Sequence, residues 1–272
     1  MPTTHGVLVR RYNPHPALGR HQVLDARSLA HRQRHRGELL RPVRWQPAIP
    51  VLDQQNLLAQ GIRTSTIAPG AADTDALSSC TGNAAATALS CTLAPDALAR
   101  AGLATYDAAA AERWAIGLYA EATVCDEFTP YVWPPADSGS SGLGVARALK
   151  ARGLISAYTH ALTPDDVAAA LQGGPLLIGL PWFNAWFTPP RSGHVDSVPY
   201  WSTSGLAGGH EVCALGLDEV AQDTDGRVIP ERTVLRLRSS WGSGWGLGGD
   251  FLLRLSTYAA LRRQVDAIQL HA

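Results

Sequence analysis

The sequence predicts an α+β protein with two lobes and a cleft between them. Predicted helices dominate residues 80–172 and predicted strands dominate residues 175–272, and this segregation is typical of α+β folds. The 272 residues, 46% of them hydrophobic, are enough for one large domain or two closely packed lobes. The charged fraction of 17% argues against a largely disordered chain. Ligands commonly bind in the cleft that such lobes form.

The helical half is predicted from composition and capping. Residues 80–90 are rich in alanine, which favours a helix buried on most sides and closely approached by its neighbours. Thr163 and Pro164 have the pattern of a cap and a first-turn residue. The further predicted helices are 106–122, 141–152 and 167–171.

The strands are predicted from short apolar or alternating runs. They cover residues 175–182, 210–217, 233–238 and 250–255. Residues 58–76 contain small polar residues and no periodicity, which predicts a loop.

The first 45 residues are basic, with nine Arg and five His against Asp25 and Glu38. We interpret residues 1–47 as an integral basic arm and 48–272 as the folded domain, with the helical lobe about 48–172 and the β-rich lobe about 173–272. Charge runs such as residues 31–36 are usually solvated. The alternative for this run is a docking patch for an acidic partner.

The bulk charge excludes some partners. Lys plus Arg and Asp plus Glu both count 23, so the overall field predicts no nucleic-acid or membrane partner. Without a secretory signature or an apolar span, the sequence predicts a cytoplasmic protein. A protein that leaves by a specialised export route would carry the same motifs.

The four cysteines contain no Cys-x-x-Cys pair, so no metal site and no cofactor is predicted. In a reducing cytosol, Cys91, Cys125 and Cys213 are expected to be core thiols. Cys80 differs because it begins the predicted alanine-rich helix. A helix N-terminus lowers a thiol pKa and favours the nucleophilic thiolate, although a free cysteine alone is more often a small buried hydrophobe.

Two further segments have catalytic potential. Gly208 and Gly209 precede His210 at the start of an apolar run, where a histidine either faces a cleft or is a structural core residue. The segment 239–246 reads Ser-Ser-Trp-Gly-Ser-Gly-Trp-Gly. By composition alone it is a tight loop with aromatic packing.

Together the three segments resemble the papain-like cysteine peptidase family, and its bacterial members in particular. The family has a Cys at the head of a central helix, a Gly-Gly-His strand and an Asn-Ser-Trp-Gly-x-x-Trp-Gly motif. Residues 239–246 match seven of those eight positions, and Cys80 precedes His210 by 130 residues, as in the family. The resemblance implies a papain-like two-lobed fold with a barrel-like β lobe.

The resemblance also implies roles for individual residues. Cys80 is the nucleophile and His210 its base, as a thiolate–imidazolium pair. Gln54, in a Pro-Val-x-Asp-Gln-like segment, is the oxyanion donor, although it lies 26 residues before Cys80. We expect an inserted loop over about 58–77 to account for this spacing. Ser239 replaces the family's Asn and is expected to orient His210 weakly, through a water, or to be a bystander.

Substrate contacts follow from the same resemblance. Gly139 and Ser140 lie where the family has a loop that pairs with the peptide backbone, the alternative being a plain turn that caps the next helix. Trp241 is expected to shield His210 from water at the substrate cleft.

The sequence therefore predicts a cysteine peptidase that hydrolyses a peptide or protein substrate through an acyl-enzyme. Two alternatives stay open. One is a catalytically weak or inactive papain-like binding protein, because Ser239 replaces Asn and Gln54 is displaced. The other is an acyltransferase or transpeptidase that uses the same dyad.

Overall fold

The computed structural model describes residues 15, 17–21, 26–34, 37, 39–126 and 132–272. The α-helices in these residues are α1 (Thr64–Ile67), α2 (Cys80–Thr92), α3 (Pro95–Arg100), α4 (Ala108–Cys125), α5 (Gly142–Ala151), α6 (Pro164–Gly173) and α7 (Leu255–Ala260). The strands are β1 (Arg32–Gln33), β2 (Val43–Arg44), β3 (Ala157–Ala161), β4 (Leu176–Phe183), β5 (Leu206–Glu219), β6 (Val234–Arg238), β7 (Asp250–Arg254) and β8 (Asp266–His271).

The strands form one open sheet in the order β1-β3-β8-β4-β5-β6-β7, and β2 pairs with β5. The neighbours pair antiparallel except for β1 and β3. The helices together with this sheet confirm the predicted α+β fold class, and in the described residues the sheet does not close into a barrel.

Both faces of the central strands are buried, which explains why their sequences are apolar runs rather than clean alternations. On β5, Cys213 and Leu215 pack in the core formed by the helices. Val212 and Ala214 face the opposite way, into a core rich in tryptophan. By the same alternation, Glu211 faces the helices and His210 faces the tryptophans.

Helix α2 is the centre of the helical core. Its residues from Cys80 through Ser90 are buried, which confirms the predicted helix with close neighbours. A Cβ at Gly82 would lie 2.2 Å from the backbone oxygen of Ala115 on α4. The small residues of α2 therefore allow helix packing at close range.

Several predictions differ from the structure at the edges. Helix α6 has the predicted cap and first-turn proline, but its apolar side chains pack in the tryptophan-rich core. The division near residue 172 is therefore not a division of cores. Strands β3 and β8 and helices α3 and α7 were not predicted.

The predicted loop over 58–77 has internal structure. Helix α1 lies within it, and Leu57, Ile62 and Leu77 are buried against Ile116 and Trp133. The segment is therefore a compact loop with a small hydrophobic core of its own. No helix in the described residues is both long and apolar enough for a bilayer span.

Candidate active site

Cys80 lies at the first residue of α2 and is fully buried. Its Sγ accepts a hydrogen bond from the backbone N–H of Glu211, with a distance of 3.3 Å from N to Sγ. Glu211 directly follows His210 on β5. The structure therefore places Cys80 against β5 at the residue after His210, but no hydrogen bond joins Sγ to the His210 ring.

The ring of His210 is held on three sides. Trp241 stacks on it at 4.6 Å between ring centroids with an interplanar angle of 17°. Trp182 contacts it edge-on at 5.1 Å, and Nε2 lies 3.0 Å from the Oγ of Ser239. The buried Nδ1 makes no hydrogen bond. With the proton on Nε2 donated to Ser239, the lone pair of Nδ1 remains available as a base.

Ser239 therefore contacts His210 directly, not through the water that the sequence analysis expects. The strand β6 ends at Arg238, and the N–H of Ser239 donates to the carbonyl of Gly249. This fixes the backbone from which the short hydroxyl reaches the ring.

Burial shifts the pKa values of Cys80 and His210 in the directions that favour their uncharged forms. Burial is the largest cause that raises the pKa of the Cys80 thiol far above its usual value, and the hydrogen bond from Glu211 opposes it. Burial also lowers the pKa of His210 to about 3, with a smaller contribution from His15. The thiolate–imidazolium pair expected from the sequence is thus disfavoured while the cleft is dry.

Gln54 is buried beside the segment that leads into α2. Its Nε2 donates to the carbonyl of Leu77 at 2.8 Å, three residues before Cys80. Its Oε1 accepts from the Oγ of Ser240 at 2.5 Å. The backbone N–H of Gln54 also donates to the carbonyl of Ser240. Although Gln54 precedes Cys80 by 26 residues, the fold places it between the segment that leads into Cys80 and the segment that follows Ser239.

Gly139 and Ser140 lie on the other wall of the cleft. The N–H of Ser140 donates to the carbonyl of Gly19 at 2.7 Å, and its carbonyl accepts from the N–H of His21 at 3.0 Å. Gly139 has a φ of 81°, and a Cβ there would lie 2.3 Å from the carbonyl oxygen of Gly19. Backbone pairing of the kind expected for a peptide substrate is thus occupied by the chain's own N-terminal arm.

The arm fills the cleft between the two walls. The N–H groups of Gly19 and Arg20 both donate to the carbonyl of Gly209, next to His210. Ala17 and Leu18 are buried, and the carbonyl of Ala17 accepts from the Trp241 indole at 2.8 Å. Residues 17–21 of the arm therefore pack into the domain. Residues 31–34, in contrast, are exposed, while residues 35, 36 and 38 lie outside the described residues.

Three buried charged residues that contact one another were missed by the sequence analysis, and one of them, Glu211, contacts Cys80. Arg20 is buried and forms ion pairs with Glu211 and Asp266. Glu211 and Asp266 each lie within an apolar strand sequence, and an acid in such a run is a signal for a special site because buried acids are rare unless paired. Arg20 has no comparable signal among the many arginines of the arm.

The other predictions concern the remaining cysteines and metal binding. Cys213 is buried in the helical core, and Cys91 and Cys125 pack partly buried against the same core. All four cysteines are free thiols. Among the described residues, no group of three or more His, Cys, Asp or Glu is arranged to hold a metal ion.

Comparisons with known proteins agree with this geometry at the level of the fold. No protein-family model matches the sequence, and no curated protein matches it. Among solved structures, the chain is similar to xylellain, a cysteine protease from Xylella fastidiosa, at 19% identity and a TM-score of 0.52. That match covers 98% of this chain and 99% of xylellain.

Two eukaryotic structures also match. Procathepsin L 3 from the Tenebrio molitor larval midgut has 16% identity and a TM-score of 0.46, over 94% of this chain and 77% of that chain. The bromelain protease from Ananas comosus has 13% identity and a TM-score of 0.44, over 82% of this chain and 94% of that chain. The fold assignment rests on the near-complete match to xylellain, and on that basis the chain has the papain-like cysteine protease fold.

Proposed function

We propose that the chain is a cysteine peptidase that hydrolyses peptide bonds with Cys80 as nucleophile and His210 as base. The observation that carries the proposal is the state of the His210 ring. Ser239 and Trp241 fix the ring, and its Nδ1 makes no hydrogen bond. The next residue, Glu211, donates its backbone N–H to the sulfur of Cys80.

In the described arrangement no hydrogen bond joins Sγ of Cys80 to the His210 ring. In the proposed reaction the two groups meet after the arm has moved, Nδ1 of His210 takes the proton of the Cys80 thiol, and Sγ attacks the peptide carbonyl. The oxyanion that forms accepts hydrogen bonds from the Cys80 backbone N–H and the Gln54 amide. His210 then gives its proton to the leaving amine as the C–N bond breaks. Water attacks the acyl-enzyme with help from His210, which releases the acid and restores the thiol.

The proposal includes a resting state. The arm fills the cleft and makes the dyad dry and uncharged, so a peptide binds only after residues 17–21 have moved. Opening admits water to both groups, which removes the main cause of their shifted pKa values and allows the ion pair to form. Catalysis therefore requires displacement or removal of the arm.

The occupied cleft also favours the second candidate, a non-catalytic papain-like protein that binds peptides or its own arm. The two candidates differ in whether Cys80 turns over substrate. Acyl transfer uses the same acyl-enzyme as hydrolysis and differs only in the acceptor, so added amine nucleophiles separate hydrolysed from transferred product.

The test is peptide-library cleavage by the wild type, Cys80→Ala, His210→Ala and Cys91→Ala. Cys91 is a matched control because it is a thiol on the same helix. Because the arm covers the cleft, the proposal predicts slow cleavage by the wild type and Cys91→Ala, faster cleavage when Arg20→Ala is added to either, and none by the other two. Cleavage that persists in Cys80→Ala would refute the assignment of the nucleophile. Absence of cleavage in all four, even after the arm has been loosened by Arg20→Ala, would favour the binding protein.

A further inference from the structure

The side chain of Arg20 occupies a closed acidic pocket. Its Nε and Nη2 donate to Oδ1 of Asp266 at 3.0 and 2.7 Å. Its Nη1 donates to the carbonyl of Gln264 at 2.9 Å. Nε lies 3.5 Å from Oε2 of Glu211. The Arg20 side chain is 1% exposed, so its polar contacts are with these groups of the protein.

The sheet register builds this pocket. Gly179 on β4 is paired with Glu211 on β5 and with Asp266 on β8. The two acids therefore flank a glycine on one face of three neighbouring strands. A Cβ at Gly179 would lie 1.7 Å from Nε of Arg20 and 2.4 Å from its Cδ. The missing side chain thus leaves the space that a long basic side chain fills.

A second glycine forms the opposite wall. A Cβ at Gly142, the first residue of α5, would lie 2.9 Å from Oε1 of Glu211 and 3.4 Å from Oδ2 of Asp266. The pocket is therefore a narrow slot. The two acids line its walls, and the two glycines leave its interior free of side-chain atoms.

Glu211 retains acceptor capacity even with Arg20 present. Both of its carboxyl oxygens are buried and make no hydrogen bond. Burial and the neighbouring Asp266 raise the pKa of Glu211 well above its usual range, so the negative charge of the pair lies on Asp266. A buried carboxylate without a cation is costly, because buried charges require partners. The pocket thus favours a cationic occupant whenever the arm withdraws.

The pocket adjoins the nucleophile. The N–H of Glu211 donates to Sγ of Cys80, and the backbone on either side of Arg20 pairs with Gly209 and Ser140. An extended peptide that replaced the arm would find the same backbone partners and the same pocket.

We propose that the pocket of Glu211, Asp266, Gly142 and Gly179 is the main specificity site of the chain and selects an arginine side chain in the peptide substrate. The inference rests on the proposed function and adds the substrate class to it. Arginine is favoured over lysine because its planar guanidinium donates to Asp266 through two nitrogens while a third reaches Gln264.

The first test measures binding without catalysis. The Cys80→Ala/Arg20→Ala variant lacks the Arg20 side chain beyond Cβ, which leaves the pocket empty. The missing part, two carbons and the guanidinium group, has the structure of ethylguanidinium. We expect millimolar ethylguanidinium to raise the midpoint of thermal unfolding of this variant, and n-propylammonium to raise it less. The rise should be absent in Cys80→Ala, where Arg20 still fills the pocket, and in Cys80→Ala/Arg20→Ala/Asp266→Asn. The proposal would be overturned if ethylguanidinium did not raise the unfolding midpoint of Cys80→Ala/Arg20→Ala, or raised that of the Asp266→Asn variant equally.

The second test measures turnover by the Arg20→Ala chain. Matched fluorogenic peptides carry Arg, Lys or Leu at each position before the reporter amide. At one position we expect kcat/KM for Arg to exceed that for Leu by about 10- to 100-fold, the range of a charge-assisted hydrogen bond. Asp266→Asn should remove most of this preference.

The outcomes separate the two proposals. Cleavage of all peptides without a preference for Arg would refute the pocket and leave the peptidase. Binding of ethylguanidinium without any cleavage would refute the peptidase and leave a cation pocket.

Discussion

The imidazole Nε2 of His210 lies 3.0 Å from the hydroxyl of Ser239, and both groups are buried. Leaving the ring N–H without this partner costs about 1–3 kcal/mol. We therefore predict that Ser239→Ala lowers kcat by about 10- to 100-fold with little change in KM, because the ring loses its orientation. Peptide-cleavage kinetics measure this effect.

Ser243→Ala is the matched control, since Ser243 is exposed in the same glycine- and tryptophan-rich segment. Ser239→Asn, which restores the residue of the family motif, should retain more activity than Ser239→Ala. Equal kinetics for Ser239→Ala and the wild type would show that Ser239 is a bystander.

Gln54 is buried and donates to the carbonyl of Leu77 through Nε2. We predict that Gln54→Glu, which removes the donor at nearly constant shape, lowers kcat by about 100-fold or more, as for loss of an oxyanion donor. Gln60→Glu is the matched control because the Gln60 Nε2 also donates to a backbone carbonyl, that of Asp53. If both variants lose activity to the same degree, the effect is structural rather than catalytic.

Arg20 anchors the arm through Asp266 and Glu211. We predict that Arg20→Ala loosens residues 17–21 and increases the rate of cleavage of small peptides relative to the wild type. Breaking a buried ion pair costs about 3–5 kcal/mol, which is enough to shift an arm that covers the cleft. Arg32→Ala is the control, since Arg32 lies in the exposed part of the arm. An unchanged or lower rate in Arg20→Ala would show that the arm does not limit access.

Burial raises the pKa of Glu112 to about 7, although Asn83 and the N–H of Asp53 donate hydrogen bonds to it. The folded protein thus holds a proton that the unfolded chain releases above about pH 4.5. The stabilising contribution is complete below that value and is lost as pH rises through about 7.

Glu112→Gln does not titrate. The free energy of unfolding of the wild type, relative to Glu112→Gln, should therefore fall by about 3 kcal/mol between about pH 4.5 and about pH 8. Urea unfolding at both pH values measures the difference. Glu121→Gln, on the exposed side of the same helix, is the matched control. A pH-independent difference between the wild type and Glu112→Gln would contradict the raised pKa.

The sequence analysis found the elements whose signals are local. A few consecutive residues are enough to predict each of these elements. Examples are the alanine run of α2, the cap of α6 and the apolar runs of β4 and β5. The positions of Cys80 and His210 follow from motif order. Strand β8 was missed because Asp266 and Gln269 interrupt its apolar pattern.

The arm and the acidic pocket depend on contacts across the whole chain. Arg20 and Asp266 are 246 residues apart, and nothing near Arg20 in the sequence distinguishes it from the other arginines. The direct contact between Ser239 and His210 depends on how the backbone after β6 is held, which residue type alone does not determine.

The most direct test of the central claim is the rate at which iodoacetamide alkylates Cys80 across pH, located by peptide mass spectrometry. It compares the wild type, Arg20→Ala and Arg20→Ala/His210→Ala, with Cys91 as the internal reference thiol. We predict slow labelling of Cys80 in the wild type, where it is fully buried. In Arg20→Ala we predict fast labelling well below the ordinary thiol pKa of about 8.5, and loss of that labelling when His210 is removed. Labelling of Cys80 in Arg20→Ala with the pH profile of an ordinary thiol, unchanged by His210→Ala, would contradict an activated dyad.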